Sequence, residues 1–442
     1  MNKYTVLLSL LFIELILETG VQLESYIVQG VSFKNIVIYG LFLVAYAQRI
    51  KVTNYTIEPD VRRIYRLFIM FIIYALFLTV VSGSLGWNSY QFLPGLMSLK
   101  NELLDSFLCL LIFFYLSYGD KSINFMMRSL AIIIGAASIV TVLDVVVSSV
   151  SIFGFDDVET NRARGAFGEP NQTAAILSLY LPFTIALVLS KVKNKLMFAA
   201  VAMSVLAALI STVSRGGILA SVIAGACFLW LIRKDMSIEK KTLFVISIPM
   251  VIVLGMAVLP PALFDLMLER FTTMSSEESS LQEASAGRTM LWEMSFTMWL
   301  ESIFIGHGWN AFRNITGLAT HNTYLDYLVS VGLLGTSLIM SVWYMIIRFL
   351  FKTREYCQSK DERIIVSSLV AGLVGLFVAL IFVNLYKPWL FVWSFIGVSL
   401  LFANKIRLNY KINVKYVADS SAGKKPDETE ASVNKFVSVK LR

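Results

Sequence analysis

The sequence predicts an all-α integral membrane protein of about twelve transmembrane helices, with one long loop on the outer side. Three observations predict it. Hydrophobic residues make up 57% of the 442 and charged residues only 15%, with a mean hydropathy of +0.71. A soluble chain of this size needs far more charge to cover its surface. The apolar residues gather into runs of about 20, the length that crosses a bilayer as a helix. Lys and Arg alternate between rich and poor connections along those runs, as topology requires.

The runs fall near 4–22, 32–48, 64–82, 101–118, 129–150, 172–190, 196–212, 216–232, 242–259, 321–347, 364–385 and 388–404. A lipid-facing backbone must satisfy its own hydrogen bonds, so each reads as a helix. The first is the weakest, because Glu14 and Glu18 interrupt it. The N-terminus lacks a small-residue cleavage site and reads as a retained span. Cys109, Cys227 and Cys357 are scattered and offer no disulfide framework or metal cluster. The organisation is nine spans with short loops over 1–259, a large outer loop over 260–320, three spans over 321–404, and a basic tail over 405–442. The tail is polar enough to be a mobile cytoplasmic extension.

The net charge of +8 divides along this topology. One set of connections, with both termini, carries most of the 38 Lys and Arg and is assigned to the cytoplasm. The chain is therefore expected in a membrane with both termini on the cytoplasmic side, among membrane lipids and away from nucleic acid. The opposite set holds Lys34, Lys100, Arg162, Arg164, Arg215, Arg270, Arg288, Arg313 and Lys387. Arginine dominates this remainder, and its planar fork suits phosphate oxygens.

Two outer loops are long. Residues 151–171 contain Asp156–Asp157, Arg162, Arg164, Glu169 and Asn171. Residues 260–320 open on Pro260–Pro261, pass through an acidic Ser275–Ser280 stretch, and change character at Gly287. Leu291, Met294 or Ser295, Met298 and Ile303 then fall at helical spacing, an amphipathic helix against the bilayer or bundle. Gly306-His307-Gly308-Trp309-Asn310 reads as a glycine-punctuated turn.

Thr320 is the expected N-cap of the tenth span. His321 would then sit in its first turn, where the positive helix end favours a neutral imidazole able to accept a proton. Gly332 would lie three turns along the same face and admit a neighbouring helix. Arg215, in Ser214-Arg215-Gly216-Gly217, stands at a membrane boundary between two spans with almost no loop. Trp292, Trp309 and Tyr324 could stack on sugars or anchor at the interface. Asp144 and Glu14 are ionisable groups inside predicted spans, which is costly and often functional.

Four segments together resemble the O-antigen ligase and O-antigen polymerase family. They are Arg164-Gly165-Ala166-Phe167-Gly168-Glu169-Pro170-Asn171, then Ser214-Arg215-Gly216-Gly217, then Gly287-Arg288 with Trp292, and Ile305-Gly306-His307-Gly308 leading to His321-Asn322-Thr323-Tyr324. The last includes a His followed by ten residues and then Gly, here His321 and Gly332. The resemblance is strongest over 160–340.

It implies a GT-C-like, inverting, metal-independent glycosyltransferase without a cofactor. The donor would be an undecaprenyl-diphosphate-linked glycan, and the acceptor another lipid-linked glycan or a lipid A core sugar. Carried over by position, His321 would be the base, and Arg215 and Arg288 would hold the donor diphosphate. Arg164, Glu169, Asn171, Asn322 and Tyr324 would be substrate-binding candidates. His307 departs from the family pattern and inherits no role. The competing class is a secondary transporter or flippase, which should show internal repeats and charges near the midplane; no convincing repeat is found.

Overall fold

The computed structural model describes residues 3–21, 26–28, 31–51, 56–147, 152–153, 162–190, 194–236, 265, 268, 287–386 and 388–421. Among the expectations above, the ninth span at 242–259, Pro260–Pro261, Arg270, the Ser275–Ser280 stretch, Asp156–Asp157 and Lys387 lie outside the described residues.

The described chain is helical apart from a short antiparallel ribbon of β1 (Tyr26–Val28) and β2 (Val31–Ser32). The helices in order are α1 (Lys3–Gly20), α2 (Phe33–Lys51), α3 (Pro59–Leu85), α4 (Phe92–Leu99), α5 (Asp105–Leu116), α6 (Asp120–Val146) and α7 (Pro170–Leu189). Then follow α8 (Lys195–Ser211), α9 (Arg215–Ile232), α10 (Arg288–Glu301), α11 (Ala311–Thr316), α12 (Thr323–Thr353), α13 (Lys360–Ala379) and α14 (Trp389–Ser421). Seven helices among the described residues are long and apolar enough to cross a membrane, with α2 and α8 apolar but shorter. The membrane class is borne out; the expected total of twelve is not reached by these residues.

Burial separates the helices into an inner and an outer set. The apolar windows of α14 and α7 are 94% and 83% buried, against 39% for α3 and α9. The inner helices α7 and α13 pack on each other and on α9. Gly372 of α13 makes that possible, since a Cβ there would collide with the Leu179 carbonyl of α7. Around this core α14 packs on α5, α12 on α3, and α8 on α6.

Three elements differ from the sequence expectation. The fourth span begins earlier, with α4 joined to α5 through a π-helical turn at Lys100–Leu104. The tail does not leave the bundle at 404: α14 continues to Ser421. Arg407 holds it by ion-pairing Asp60 at 3.4 Å and donating to the Phe349 carbonyl, and Lys411 pairs with Glu58 at 2.8 Å. α12 is not one continuous helix, because Gly332 (φ 61°, ψ −169°) breaks it.

The break has a visible compensation. A broken helix leaves unpaired N–H and C=O groups, which an apolar surrounding cannot satisfy. The segment 303–308 lies against the break and satisfies them. Leu333 and Leu334 N–H donate to the carbonyls of Ile303 and Phe304, at 2.8 and 3.1 Å. His307 and Gly308 N–H donate to the carbonyls of Val329 and Ser330, both at 2.9 Å. Gly332 is therefore a backbone crossing rather than a seat for a neighbouring helix. A Cβ on Gly332 would run into the Phe304 carbonyl.

The buried charges in α1, α2 and α5 are paired. Lys34 meets Glu18 at 2.8 Å, and Lys100 meets Asp105 at 3.1 Å with Tyr39 Oη donating to the same carboxylate. Asp144 accepts from the backbone N–H of Ile152 and Phe153, at 2.6 and 2.8 Å, and so ties the start of the 151–171 loop to α6.

Candidate active site

The outer-loop segments converge at one end of the bundle. The 162–168 segment is anchored by Ala163 N–H donating to the Ser211 carbonyl at 3.1 Å. Val213, in left-handed backbone (φ 49°), turns the chain from α8 into α9. Ser214 caps α9, accepting from Gly217 N–H, and its hydroxyl donates to Asn171 Oδ1 at 2.9 Å. That hydrogen bond links the N-terminal turns of α9 and α7.

α10 enters from Gly287 in left-handed backbone, with Arg288 as its first residue. It carries apolar side chains on both sides rather than on one stripe, and it ends before Ile303. Leu291, Met298 and Trp299 pack on a small cluster of Tyr90, Ala311, Phe312 and Val329. Ser295, not Met294, takes the inward position between them, and Met294 is exposed. Met290, Phe296 and Leu300 are exposed on the other side, an apolar surface suited to a bilayer boundary.

α12 is capped by Asn322 rather than Thr320: the Asn322 side chain accepts from the N–H of Tyr324 and Leu325. His321 therefore precedes the helix instead of entering its first turn, and it holds left-handed backbone (φ 50°). The reason lies in its neighbours. Thr320 Oγ1 donates to Asn384 Oδ1 at 2.8 Å, and Thr323 N–H and Oγ1 donate to the carbonyls of Leu380 and Val383. The stretch after α13 thus grips both sides of His321 and fixes its direction. Trp292 Nε1 also donates to the Thr320 carbonyl, joining α10 to the same turn.

These elements enclose a cavity of ≈ 190 Å³ lined by Arg162, Asn171, Val213, Arg215, Gly216, Arg288 and His321. Three of the lining residues are the expected base and diphosphate ligands, His321, Arg215 and Arg288. Asn171 joins them. Arg162 was missed as a site residue, although its place among the outer arginines pointed to it; it is buried and donates from Nε to the Thr212 carbonyl. The other candidates lie around the cavity rather than in its wall. Arg164 donates from Nε to the Gly168 carbonyl at 2.6 Å. Glu169 stands at the start of α7, Asn322 serves as the cap, and Tyr324 donates to the Phe377 carbonyl at 2.8 Å.

The charge of this cavity is its chemistry. Arg215 and Arg288 each stand at the first position of a helix, where the helix dipole disfavours a cation. Arg162 adds a third guanidinium, and no carboxylate is among the lining residues. Such a wall attracts an anion, and forked donors suit phosphate oxygens. Pockets for drug-sized ligands run to about 300–1,000 Å³, so this one fits a compact anionic group whose attached chains extend outward.

The His321 imidazole is held below its ordinary pKa, chiefly by burial and secondly by the Arg288 charge. Burial and the neighbouring guanidinium thus favour the neutral imidazole, a cause other than the helix end. Its Nδ1 is buried with no hydrogen-bond partner among the described residues. His307 is different. It is fully buried, its Nε2 lies 2.7 Å from the Met298 carbonyl, and its ring meets Trp87 edge-on. It holds α10 to the 303–308 segment.

Fold and site together define a multi-pass helical membrane protein with a cationic, histidine-containing cavity at one end of the bundle. Residues 198–340 match the family described as O-antigen ligase. This stretch is an O-antigen ligase family domain, and the resemblance read from the sequence is borne out there. It spans the Ser214–Gly217, Gly287–Arg288, Gly306–Gly308 and His321–Tyr324 segments; the Arg164–Asn171 segment lies before it. The match covers about a third of the chain and likens this stretch to O-antigen ligases. No curated protein matches the chain.

Proposed function

We propose that the protein transfers an undecaprenyl-diphosphate-linked oligosaccharide to a sugar hydroxyl, with inversion at the anomeric carbon. The observation that carries this is the meeting of His321, Arg215 and Arg288 on one cavity from three separate helix starts. His321 accepts the proton of the acceptor hydroxyl as its oxygen attacks the anomeric carbon. The bond from that carbon to the diphosphate oxygen breaks, and undecaprenyl diphosphate departs with the bonding electrons. Arg215 and Arg288, joined by Arg162, hold the charge that develops on the leaving group. Asn171, and the surrounding Arg164, Glu169, Asn322 and Tyr324, shape the approach of the sugars.

Replacing His321 by Ala should lower transfer by about 10²–10⁴-fold, the usual contribution of a general base, while the variant still inserts and binds donor. Arg215→Lys should also lose most activity, because the charge remains but the fork does not. Purified protein with lipid-linked donor and acceptor reads both. Normal transfer by His321→Ala at normal protein level removes the base assignment.

The acceptor is a lipid-linked repeat for a polymerase or a lipid A core sugar for a ligase. A deletion strain separates the two by gel profile. Glycan arrested at one repeat means polymerase; full-length glycan held on carrier lipid means ligase. An unchanged profile contradicts both.

A further inference from the structure

We propose that a groove between α2, α3 and α5, at the end of the bundle opposite the candidate active site, binds one anionic phospholipid. The groove has a volume of ≈ 680 Å³. Its wall is apolar along α3 and α5, with Ile69, Phe107 and Leu111, and Phe42 closes it from α2. Phe107 is buried while Ile69 is exposed, so the groove runs inward between helices rather than over a flat face.

The cations stand at one rim only. Arg62 and Arg66 both line the groove, are exposed, and lie four residues apart on one face of α3. Neither has an acidic partner among the described residues. Arg63 beside them has Asp60 at 3.9 Å, and that carboxylate is shared with Arg407. From Arg62 to Ile69 the helix rises about 10 Å at 1.5 Å per residue. A headgroup phosphate at Arg62 and Arg66 therefore leaves its acyl chain running along the apolar wall. Two adjacent guanidinium forks suit a phosphate, and a net negative headgroup is favoured over a zwitterionic one.

This site is not part of the cavity that holds His321. Asp60, next to the arginines, is tied through Arg407 to Thr353 and Phe349 at the far end of α12. His321 stands before the opposite end, and the unbroken part of α12 after Gly332 alone spans about 30 Å at 1.5 Å per residue. The inference is thus independent of the proposed transfer reaction.

The test uses the full chain, delipidated in detergent and titrated with phosphatidylglycerol or phosphatidylcholine while bound lipid is counted by native mass spectrometry. One phosphatidylglycerol should be retained at least ~10-fold more tightly than phosphatidylcholine. The Arg62→Gln/Arg66→Gln double variant should lose that preference. Leu111→Trp keeps the arginines, fills the groove, and should lose the retained lipid as well. Equal retention of the two lipids by the parent protein overturns the proposal. So does full retention by either variant; in Leu111→Trp it would mean that surface charge alone attracts lipid. The groove-filling variant alters no charge, so it decides the matter even if the arginine variant fails to insert.

Discussion

The two histidines show how little residue type alone determines. Both lie near the same loop, and one is packed into the scaffold while the other lines a cationic cavity. The difference was legible in the sequence through the segments around His321. For Arg162 only its place among the outer arginines was legible; it lines the cavity because a backbone pairing between Ala163 and Ser211 brings two distant segments together. Sequence spacing carries no trace of that pairing. The environment of His321 also makes a pH prediction. Its pKa lies below the ordinary 6.5 because burial, and then Arg288, disfavour the imidazolium. A base works in its neutral form, so transfer should persist below pH 6.5 and fall only as pH drops through the depressed pKa. In Arg288→Gln the second cause is gone and the pKa rises. The acid limb of residual kcat/KM should then move to higher pH, although total activity is reduced by weaker diphosphate binding. A parent limb at or above pH 6.5, or a limb that moves downward in the variant, contradicts His321 as the base.

At the scale of elements, the α12 break joins site to scaffold. The apolar run predicts a helix over 321–347, and hydropathy has no means of registering a single residue that leaves helical geometry. Gly332 was legible as a special position and not as a break, because the cause lies in the 303–308 segment. Its backbone (φ 61°, ψ −169°) is in a region that only glycine enters without strain. Gly332→Ala should therefore add about 1–3 kcal/mol of backbone strain, and the collision with the Phe304 carbonyl should raise the cost further. Gly317 is the matched control: it has φ 74° and open space around its missing Cβ. Gly317→Ala should cost only the left-handed strain, about 1–2 kcal/mol. Thermal unfolding in detergent should place Gly332→Ala well below Gly317→Ala, and transfer should be lost only in the former. Equal melting of the two would mean that the segment yields easily and the crossing is not a structural constraint. The N-cap is a smaller case of the same lesson. Thr320 and Asn322 are both capable caps, and the grip of Asn384 on Thr320 leaves the role to Asn322.

For the whole molecule, the charge alternation read from the sequence and the fold agree on which segments share an end. Arg162, Arg215, Arg288 and His321 gather at one end. Asp60, Arg407 and Thr353 gather at the other. The fold fixes the axis; from the bias of Lys and Arg we propose its direction, with the arginine cavity outside and both termini inside. Labelling with a membrane-impermeant maleimide tests this, starting from a variant with Cys109, Cys227 and Cys357 replaced. Leu318 is exposed in the turn just before His321, and Glu355 is exposed just after α12 at the other end. Leu318→Cys should label in intact cells opened only at the outer envelope. Glu355→Cys should label only after the inner membrane is permeabilised. The two sites flank α12 at its opposite ends, so a correct topology cannot label both from one side. The reverse pattern would place the His321 cavity in the cytoplasm. A donor glycan displayed at the outer leaflet could not then reach it, and the proposed reaction would have no substrate on the correct side of the membrane.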